Sequence, residues 1–229
     1  MTSSATGATR PGNAQVPGNQ VTAGSEASGT SGASPAPTKR QAAKERRRQQ
    51  ILDSAKKLFA RQGFRAVSID DIGAGAGISG PAVYRHFDSK EALLAELLVG
   101  LSKRLHAGMS GIVAAHAGAQ PREAMEDLLA FHVEFAVNEP ELIRIQDRDF
   151  EALKEGDRKR VRRLQREYMT GWEDVLIQVH PDLEGAGVRV LVQAAIGMLN
   201  STPYVVRRLN TDVIEQHLSD AARAALRLG

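Results

Sequence analysis

Apolar side chains recur at helical spacing along most of the chain, beginning at residue 51. In the first predicted helix they fall at positions i, i+1, i+4, i+7 and i+8, which places them on one face: Ile51, Leu52, Ala55, Leu58 and Phe59. Gly63 follows, and glycine is common just past a helix C-terminus. The pattern therefore predicts an α-helix that ends at Gly63.

Two short helices are predicted next. Ser68 and Asp71 have the spacing of an N-terminal cap, and Gly77 ends the helix that they begin. Ser79 can cap a third helix, in which Pro81 is tolerated because the first turn needs no intrahelical N–H. Three short helices with a glycine-containing turn between the second and third have the spacing of a helix-turn-helix.

The third helix has an inner and an outer side. Val83 and Phe87 lie four residues apart and face inward. The side chains between them project elsewhere: Tyr84, Arg85 and His86. Residues 74–76 are small, and we expect them to let the second and third helices approach closely.

A three-helix core that does not bind DNA is the alternative to this interpretation. Two features favour DNA. Residues 84–86 would place two aromatic rings and a guanidinium group on the exposed surface of the third helix. A helix with a purely structural role more often carries Glu and Lys on such a surface. Lys90 and the run Arg46–Arg48 lie at N-termini of flanking helices, where cations oppose the helix dipole but suit phosphate.

Six further helices complete a prediction of about nine in an all-α chain. Pro121 opens the fifth helix, and Asn138 and Pro140 end it, because the residue before a proline resists helical geometry. The predicted ranges are roughly 90–109, 121–138, 142–153, 157–179, 188–206 and 213–228.

The last two helices are the predicted dimer interface. The eighth is apolar over so wide an arc that it needs burial on two sides: Val190, Leu191, Ala194, Ala195, Met198 and Leu199. Two such helices from each subunit would form a four-helix interface with two-fold symmetry. A core helix of a monomer is the alternative, but helix-turn-helix proteins read paired half-sites, which favours the dimer.

The first 38 residues are rich in Gly, Ser, Ala, Thr and Pro and contain no Leu, Ile or aromatic side chain. Such a segment cannot bury enough apolar surface to order its backbone, so we expect a disordered tail over residues 1–40. Between Lys39 and Arg48, six basic side chains then oppose only Glu45. This run is either a solvated helix face or part of a nucleic-acid surface.

Composition narrows the function classes. The chain of 229 residues has no cysteine, which excludes disulfides, thiol nucleophiles and Cys-ligated metals and suits a reducing cytoplasm. Its 4% aromatic content disfavours a base-stacking sheet. The apolar stretch at residues 190–206 is too short and polar to span a membrane, and the histidines are too scattered for a metal site. We expect a cytoplasmic protein with no cofactor.

The run ILDSA at residues 51–55 and the ending YRHFDSKEAL at residues 84–93 resemble the DNA-binding domain of the tetracycline-repressor (TetR) family. The resemblance covers about residues 45–100. It implies a dimeric all-α regulator with a DNA-binding domain at 41–90 and a ligand-binding and dimerisation domain at 91–229. Gly80 departs from the pattern, since many relatives carry a longer side chain there, and one DNA contact is then absent.

The resemblance also implies residue roles. Ser68 would cap the second helix and touch a phosphate, Lys90 would hold another, and Arg85 would read a base or contact a phosphate. The full predicted DNA-binding set is Arg47, Arg48, Ser68, Ser79, Gly80, Pro81, Ala82, Tyr84, Arg85, His86 and Lys90.

Polar residues embedded in the later helices are candidate contacts for a small-molecule effector: His132, Arg144, Arg148, Trp172 and Asn200. Arg144 and Arg148 lie one turn apart and could hold an anion, or they could form structural ion pairs with neighbouring carboxylates. Segments around residues 138–149 and 200–204 are similar to relatives of acyl-CoA and fatty-acid metabolism, which suggests a ligand of that kind.

These observations predict a sequence-specific transcriptional regulator, a repressor that a ligand releases from palindromic double-stranded operator DNA. Two other classes stay open. A small-molecule enzyme lacks support, because no glycine-rich phosphate loop, serine elbow or positioned carboxylate pair is present. A non-specific nucleic-acid binder would use the basic run alone and show no sequence preference.

Overall fold

The computed structural model describes residues 38–118, 120–205 and 210–229. Within these residues the regular secondary structure is helical, as predicted. The helices are α1 (Lys39–Gln62), α2 (Ile69–Gly75), α3 (Gly80–Val83), α4 (Lys90–Ala115), α5 (Pro121–Asn138), α6 (Pro140–Asp149), α7 (Glu155–Val179), α8 (Gly185–Leu199), α9 (Thr202–Val205) and α10 (Thr211–Ala225), with a 3-10 turn at Phe150–Ala152.

All nine predicted helices are present, but several of their boundaries differ from the prediction. The third ends at Val83 and not at Phe87, the fourth extends to Ala115, and the sixth ends at Asp149 before the 3-10 turn. The run Arg46–Arg48 lies inside α1 and not at its N-terminus as predicted. The predicted eighth helix over 188–206 ends at Leu199, and the one-turn α9 follows. Pro203 explains the break, because proline inside a helix cannot bond to the carbonyl four residues earlier. Helix α1 begins at Lys39, so residues 39–40 do not belong to the predicted tail. The rest of that tail, residues 1–37, lies outside the described residues, as does position 206.

Local side-chain chemistry fixes the helix starts. Thr38 caps α1, and Ser68 caps α2 through the predicted pairing with Asp71. Ser89 caps α4, where its Oγ accepts from Ala92 N at 3.1 Å. Each of these caps satisfies a backbone N–H that the first helical turn leaves without an intrahelical partner.

Buried side chains form two hydrophobic clusters. The N-terminal cluster surrounds Phe59 and Ile72 and takes side chains from α1 through α4, from α6 and, through Val161, from α7. The C-terminal cluster surrounds Trp172 and takes side chains from α5, α7, α8 and α10. Helix α4 contributes to both, through Leu98 in the first and Met109 in the second.

The close approach of α2 to α3 depends on Gly73. A Cβ at this position would lie 2.9 Å from Gly80 N and 2.9 Å from Ile78 O, which is too close for carbon against backbone atoms. The sequence expectation assigned the approach to residues 74–76. That assignment is wrong, because Ala74 is exposed and a Cβ at Gly75 would meet Ser54 of α1 instead.

We expect Gly73→Ala to destabilise the fold by about 1–3 kcal/mol, since neither backbone atom can move without separating α2 from α3. The control is Gly100→Ala in α4, where a Cβ meets nothing within 4 Å. That change should stabilise the helix by up to about 1 kcal/mol. Urea unfolding of the two variants measures both effects, and equal midpoints would contradict the packing described here.

Candidate nucleic-acid interface and effector cavity

The short α3 is anchored from one side and exposed on the other. Val83 is fully buried, and Phe87 packs in the same cluster. Tyr84 is 55% exposed, and Arg85 is also exposed. Beyond Val83 the backbone tightens, with His86 N donating to Val83 O at 2.9 Å. The structure thus places the Tyr84 and Arg85 side chains where a macromolecule in solvent can reach them.

The N-terminal end of α3 offers backbone and small groups. Ser79 occupies the N-cap position, but its side chain makes no capping hydrogen bond. Gly80 is buried against Asp70, so a longer side chain there would collide with α2. Pro81 is exposed and Ala82 half-buried. The departure at Gly80 is therefore part of the helix packing.

Two of the side chains predicted to contact phosphate form hydrogen bonds within the chain. The Ser68 hydroxyl donates to Asp71 Oδ2 at 2.6 Å, and Ser68 N donates to the same oxygen at 2.9 Å. These hydrogen bonds lower the pKa of Asp71. Lys90 Nζ donates to Phe64 O at 2.9 Å and to Val67 O at 2.7 Å, which leaves one ammonium proton for a further partner.

The two predicted arginines of α1 also have internal partners. Arg47 Nη1 donates to Ala76 O at 3.0 Å, at the end of α2. Arg48 forms an ion pair with Glu96 and lies 4.3 Å from the centre of the Phe87 ring. Both side chains therefore tie α1 to the helix-turn-helix, and the Arg48 charge is neutralised by a carboxylate.

His86 completes this surface. It is half-buried, and its Nδ1 is a buried atom with no hydrogen-bond partner in the part of the chain that the structure describes. Desolvation lowers the pKa of His86, and the nearby cations of Lys44, Arg47, Arg48 and Arg85 lower it further. The imidazole is thus neutral at pH 7 and sits within a positive field.

A cavity of about 290 Å³ lies between α4, α5, α6, α7 and α8. Leucine, isoleucine, methionine and phenylalanine side chains form much of its wall, and among the residues that the structure describes no lysine or arginine lines it. The polar groups that face it are Ser102, His132, Gln146, Gln165, Tyr168, Gln193 and Asn200. Gln193 is exposed as well as lining the cavity, so the cavity opens at that edge. The lining suits an apolar ligand with a few neutral polar groups.

A hydrogen-bonded chain crosses one wall of the cavity. His132 Nδ1 lies 2.8 Å from the Tyr168 hydroxyl, and His132 Nε2 lies 3.1 Å from Asn200 Oδ1. The neutral tautomer that suits both contacts carries its proton on Nε2 and accepts from Tyr168. Asn200 then keeps both amide N–H groups for other acceptors.

Burial sets the charge state of this chain. It lowers the pKa of His132 from 6.5 to about 4, against the opposing effect of the Asn200 oxygen. Burial also raises the pKa of the Tyr168 hydroxyl. Both groups are therefore neutral hydrogen-bonding groups at pH 7.

The structure separates the predicted effector residues. His132 and Asn200 line the cavity, and Trp172 packs behind His132 with ring centres 6.0 Å apart. Arg144 and Arg148 lie elsewhere, and neither lines the cavity. The two arginines line a separate depression with Asp147, Pro203 and Tyr204, and their role as effector contacts stays a prediction.

The two arginines join helices. Arg144 donates to Pro203 O and lies 5.9 Å from the Tyr204 ring centre. Arg148 donates to Phe59 O near the end of α1 and pairs with Asp149 at 3.1 Å. The ion-pair alternative from the sequence is thus correct for Arg148.

Sequence reasoning missed several lining residues. Tyr168 lies in the predicted seventh helix but was not singled out as an effector contact, and neither were the amide side chains of Gln146, Gln165 and Gln193. Their signal in the sequence is weak, since each is a single amide side chain beside an apolar stripe.

A second set of contacts joins the α5–α6 junction to α1 and α4. Glu139 accepts from Lys56 of α1 at 2.9 Å and from Arg104 of α4 at 3.2 Å. Among the described residues, no three potential metal ligands cluster together. Nor does any helix within them combine the length and apolar character needed to cross a bilayer.

Comparison with known proteins agrees with this geometry. Residues 51–97 match the family profile described as bacterial regulatory proteins of the tetR family, and residues 118–204 match a tetracyclin repressor-like C-terminal domain. The HTH-type transcriptional repressor KstR2 of Rhodococcus jostii is 39% identical over 95 residues, which are 42% of this chain and 46% of that protein. The chain thus spans less than half the length of this curated relative.

Solved structures match over more of the chain. The ketosteroid transcriptional regulator KstR2 of Mycobacterium tuberculosis is 27% identical, with a TM-score of 0.65 over 79% of this chain and 93% of that one. A structure of AibR with isovaleryl coenzyme A and operator DNA is 17% identical, with a TM-score of 0.64 over 76% of this chain and 97% of that one. At that identity it shows the fold alone. The two KstR2 proteins are named as a transcriptional repressor and a transcriptional regulator, not as enzymes.

The neutral state of His132 gives a testable pH dependence. The His132 side chain binds a proton below pH 6.5 in the unfolded chain but only below about pH 4 in the folded chain. The free energy of unfolding therefore decreases as the pH falls from 6.5 to 4. We expect His132 to account for a loss of roughly 2 kcal/mol between pH 6.5 and pH 5. Urea unfolding at fixed protein concentration measures it.

His132→Gln should flatten that pH dependence, whereas His217→Gln should leave it unchanged because His217 is exposed. If wild type and His132→Gln lose the same stability on acidification, the claim that His132 is buried and neutral in the folded chain is wrong.

Proposed function

The chain belongs to the TetR family of bacterial regulatory proteins, and we propose that it is a dimeric, sequence-specific DNA-binding repressor that a small-molecule effector releases from its operator. In this proposal residues 41–90 bind DNA, and residues 91–229 bind the effector and form the dimer. One observation carries the DNA-binding part: Val83 and Phe87 anchor the third helix, and Tyr84 and Arg85 stand exposed beside it.

Helices α8 and α10 support the proposed dimer. Val192 and Ala195 of α8 are buried in the C-terminal cluster, while Val190 on another side of the same helix is 65% exposed. Val213 of α10 is 42% exposed. Pairing α8 and α10 with their copies would cover these side chains and present two recognition helices to half-sites about one DNA turn apart.

The cavity supports the effector part. The relative AibR is named in a complex with isovaleryl coenzyme A and operator DNA, so this fold can hold an acyl thioester and contact DNA. Because no cation within the described ranges lines the cavity, we propose that only the acyl part of such a ligand enters it. The amide N–H groups of Asn200 are suited to a carbonyl oxygen, and the anionic part would remain outside.

Effector binding releases DNA only if the effector prefers the subunit arrangement that does not fit the operator. Two contacts can transmit this preference. Arg148 of α6 bonds to Phe59 O of α1, and Glu139 joins Lys56 to Arg104. A ligand that shifts α6 therefore acts directly on the first helix of the DNA-binding part.

A non-specific nucleic-acid binder remains the competing function. Footprinting on the protein's own upstream region against random duplex separates the two. A protected palindrome supports the repressor, and equal binding to both duplexes at moderate ionic strength overturns it.

Arg85→Ala should weaken operator binding by about 5- to 150-fold without lowering the melting temperature, since the side chain is exposed and makes no internal ion pair among the described residues. If Arg85 reads a base, the loss concentrates at one operator position; if it holds a phosphate, the loss is uniform and the salt dependence becomes shallower. Arg160→Ala on α7 is the matched control and should bind like wild type.

Filling the cavity should uncouple the effector from DNA. In Gln165→Trp the indole occupies space next to Tyr168, so we expect normal operator binding and at least tenfold weaker release by the effective ligand in a panel of acyl-CoA thioesters. Gln178→Trp, on the exposed side of α7, should still respond. Free coenzyme A is the ligand control, and undiminished release of Gln165→Trp would place the effector elsewhere.

A further inference from the structure

Helix α1 extends well beyond the core that it helps to build. Its first buried residue is Ile51, so no side chain of residues 39–50 is buried. At a rise of 1.5 Å per residue this extension is about 18 Å long. It contains six basic residues and one acidic residue, and its first turn has no acidic side chain to balance the positive helix end.

The face of this extension is defined by Arg47 and Arg48. Arg47 bonds to Ala76 O at the end of α2, and Arg48 lies over Phe87, just after α3. Viewed down the axis of α1, the direction midway between the Arg47 and Arg48 side chains therefore faces the helix-turn-helix. Side chains that lie in the same direction further along α1 continue the surface that carries Tyr84 and Arg85.

Helical periodicity places two cations on that face. At 100° per residue, Lys44 lies within about 10° of the direction midway between Arg47 and Arg48, and Arg40 within about 30°. Lys39 and Arg46 lie about 130° and 150° away, on the opposite side of the helix. The extension therefore has a stripe facing the helix-turn-helix and an equally charged opposite side.

Arg40 and Lys44 are available for an outside partner. Both side chains are exposed, and neither takes part in an ion pair within the described part of the chain. Glu45 projects about 110° away from the stripe. The field of Lys44 also reaches His86, since it contributes to the lowered pKa of that imidazole.

We propose that Arg40 and Lys44, the α1 stripe, form a second DNA contact that holds backbone phosphates outside the bases read by the third helix. The proposal rests on the proposed operator binding and deepens it. Cations without internal partners neutralise phosphates and release condensed counterions, which increases affinity without adding base specificity. The α1 stripe thus lengthens the DNA that each subunit occupies.

The test compares two double variants that remove the same charge. Arg40→Gln with Lys44→Gln removes the α1 stripe, and Lys39→Gln with Arg46→Gln removes the opposite side. Glutamine has a helix propensity close to that of lysine and arginine, so both variants should stay helical by circular dichroism. The wild-type protein first selects a preferred DNA duplex from a pool of random sequences. The binding probes are this selected duplex at its full length and versions of it that are shortened at both ends.

We expect the stripe variant to bind the full-length duplex at least tenfold more weakly than wild type at about 0.1 M salt. Its slope of log K against log salt should fall by nearly two per subunit, because each lost phosphate contact removes about 0.9. Trimming the flanks should weaken wild type and the opposite-side variant but leave the stripe variant unchanged. Base preference should be the same in all three proteins.

Equal losses of DNA affinity in the two double variants would contradict the proposed role of the α1 stripe, because a general effect of charge does not depend on the helix face. Equal sensitivity of wild type and stripe variant to trimming would also overturn it. Failure of the proposed function looks different: the wild-type protein would then recover no preferred duplex from the pool at all.

Discussion

Helix α4 is shared between the two hydrophobic clusters, and this sharing constrains the rest of the molecule. Leu98 is buried in the N-terminal cluster and Met109 in the C-terminal one. Leu105 packs against both clusters and also lines the cavity. Because protein interiors are close-packed, a ligand that displaces this helix cannot do so within one cluster alone. The geometry of the helix-turn-helix and the occupancy of the cavity are therefore linked by packing.

The basic side chains of the proposed DNA-binding surface divide into those that bond within the chain and those that are exposed. Arg47, Arg48 and Lys90 bond to groups of the chain itself and hold α1, α2 and α4 in place. Arg85 and Lys44 are exposed. Glu96 neutralises Arg48, whereas Arg47 and Lys90 bond to uncharged carbonyl groups and keep their charge. The expected salt dependence therefore comes from these two side chains together with the exposed cations.

The cavity is lined by neutral groups in the part of the chain that the structure describes, whereas an anion site was one of the two alternatives that the sequence left open. Its polar wall is a chain of uncharged groups, in which burial keeps His132 unprotonated and Tyr168 protonated. Such a wall can orient a carbonyl group by hydrogen bonding, and the described residues place no cation in it to balance the charge of a phosphate. The arginines expected there instead connect α6 to its neighbours, which turns an expected ligand contact into a contact between helices.

The sequence alone determined the helices, because apolar periodicity and capping residues such as Ser68 and Ser89 act over three or four neighbouring positions. It also located Tyr84 and Arg85 on the outer side of α3. Tertiary structure decided what depends on distant partners: that Gly73 sets the α2–α3 approach, that Arg148 reaches Phe59 O, and which residues close the cavity. Those outcomes join residues up to 89 positions apart. Local pattern carries no information on such a pairing, since it follows from how whole helices pack.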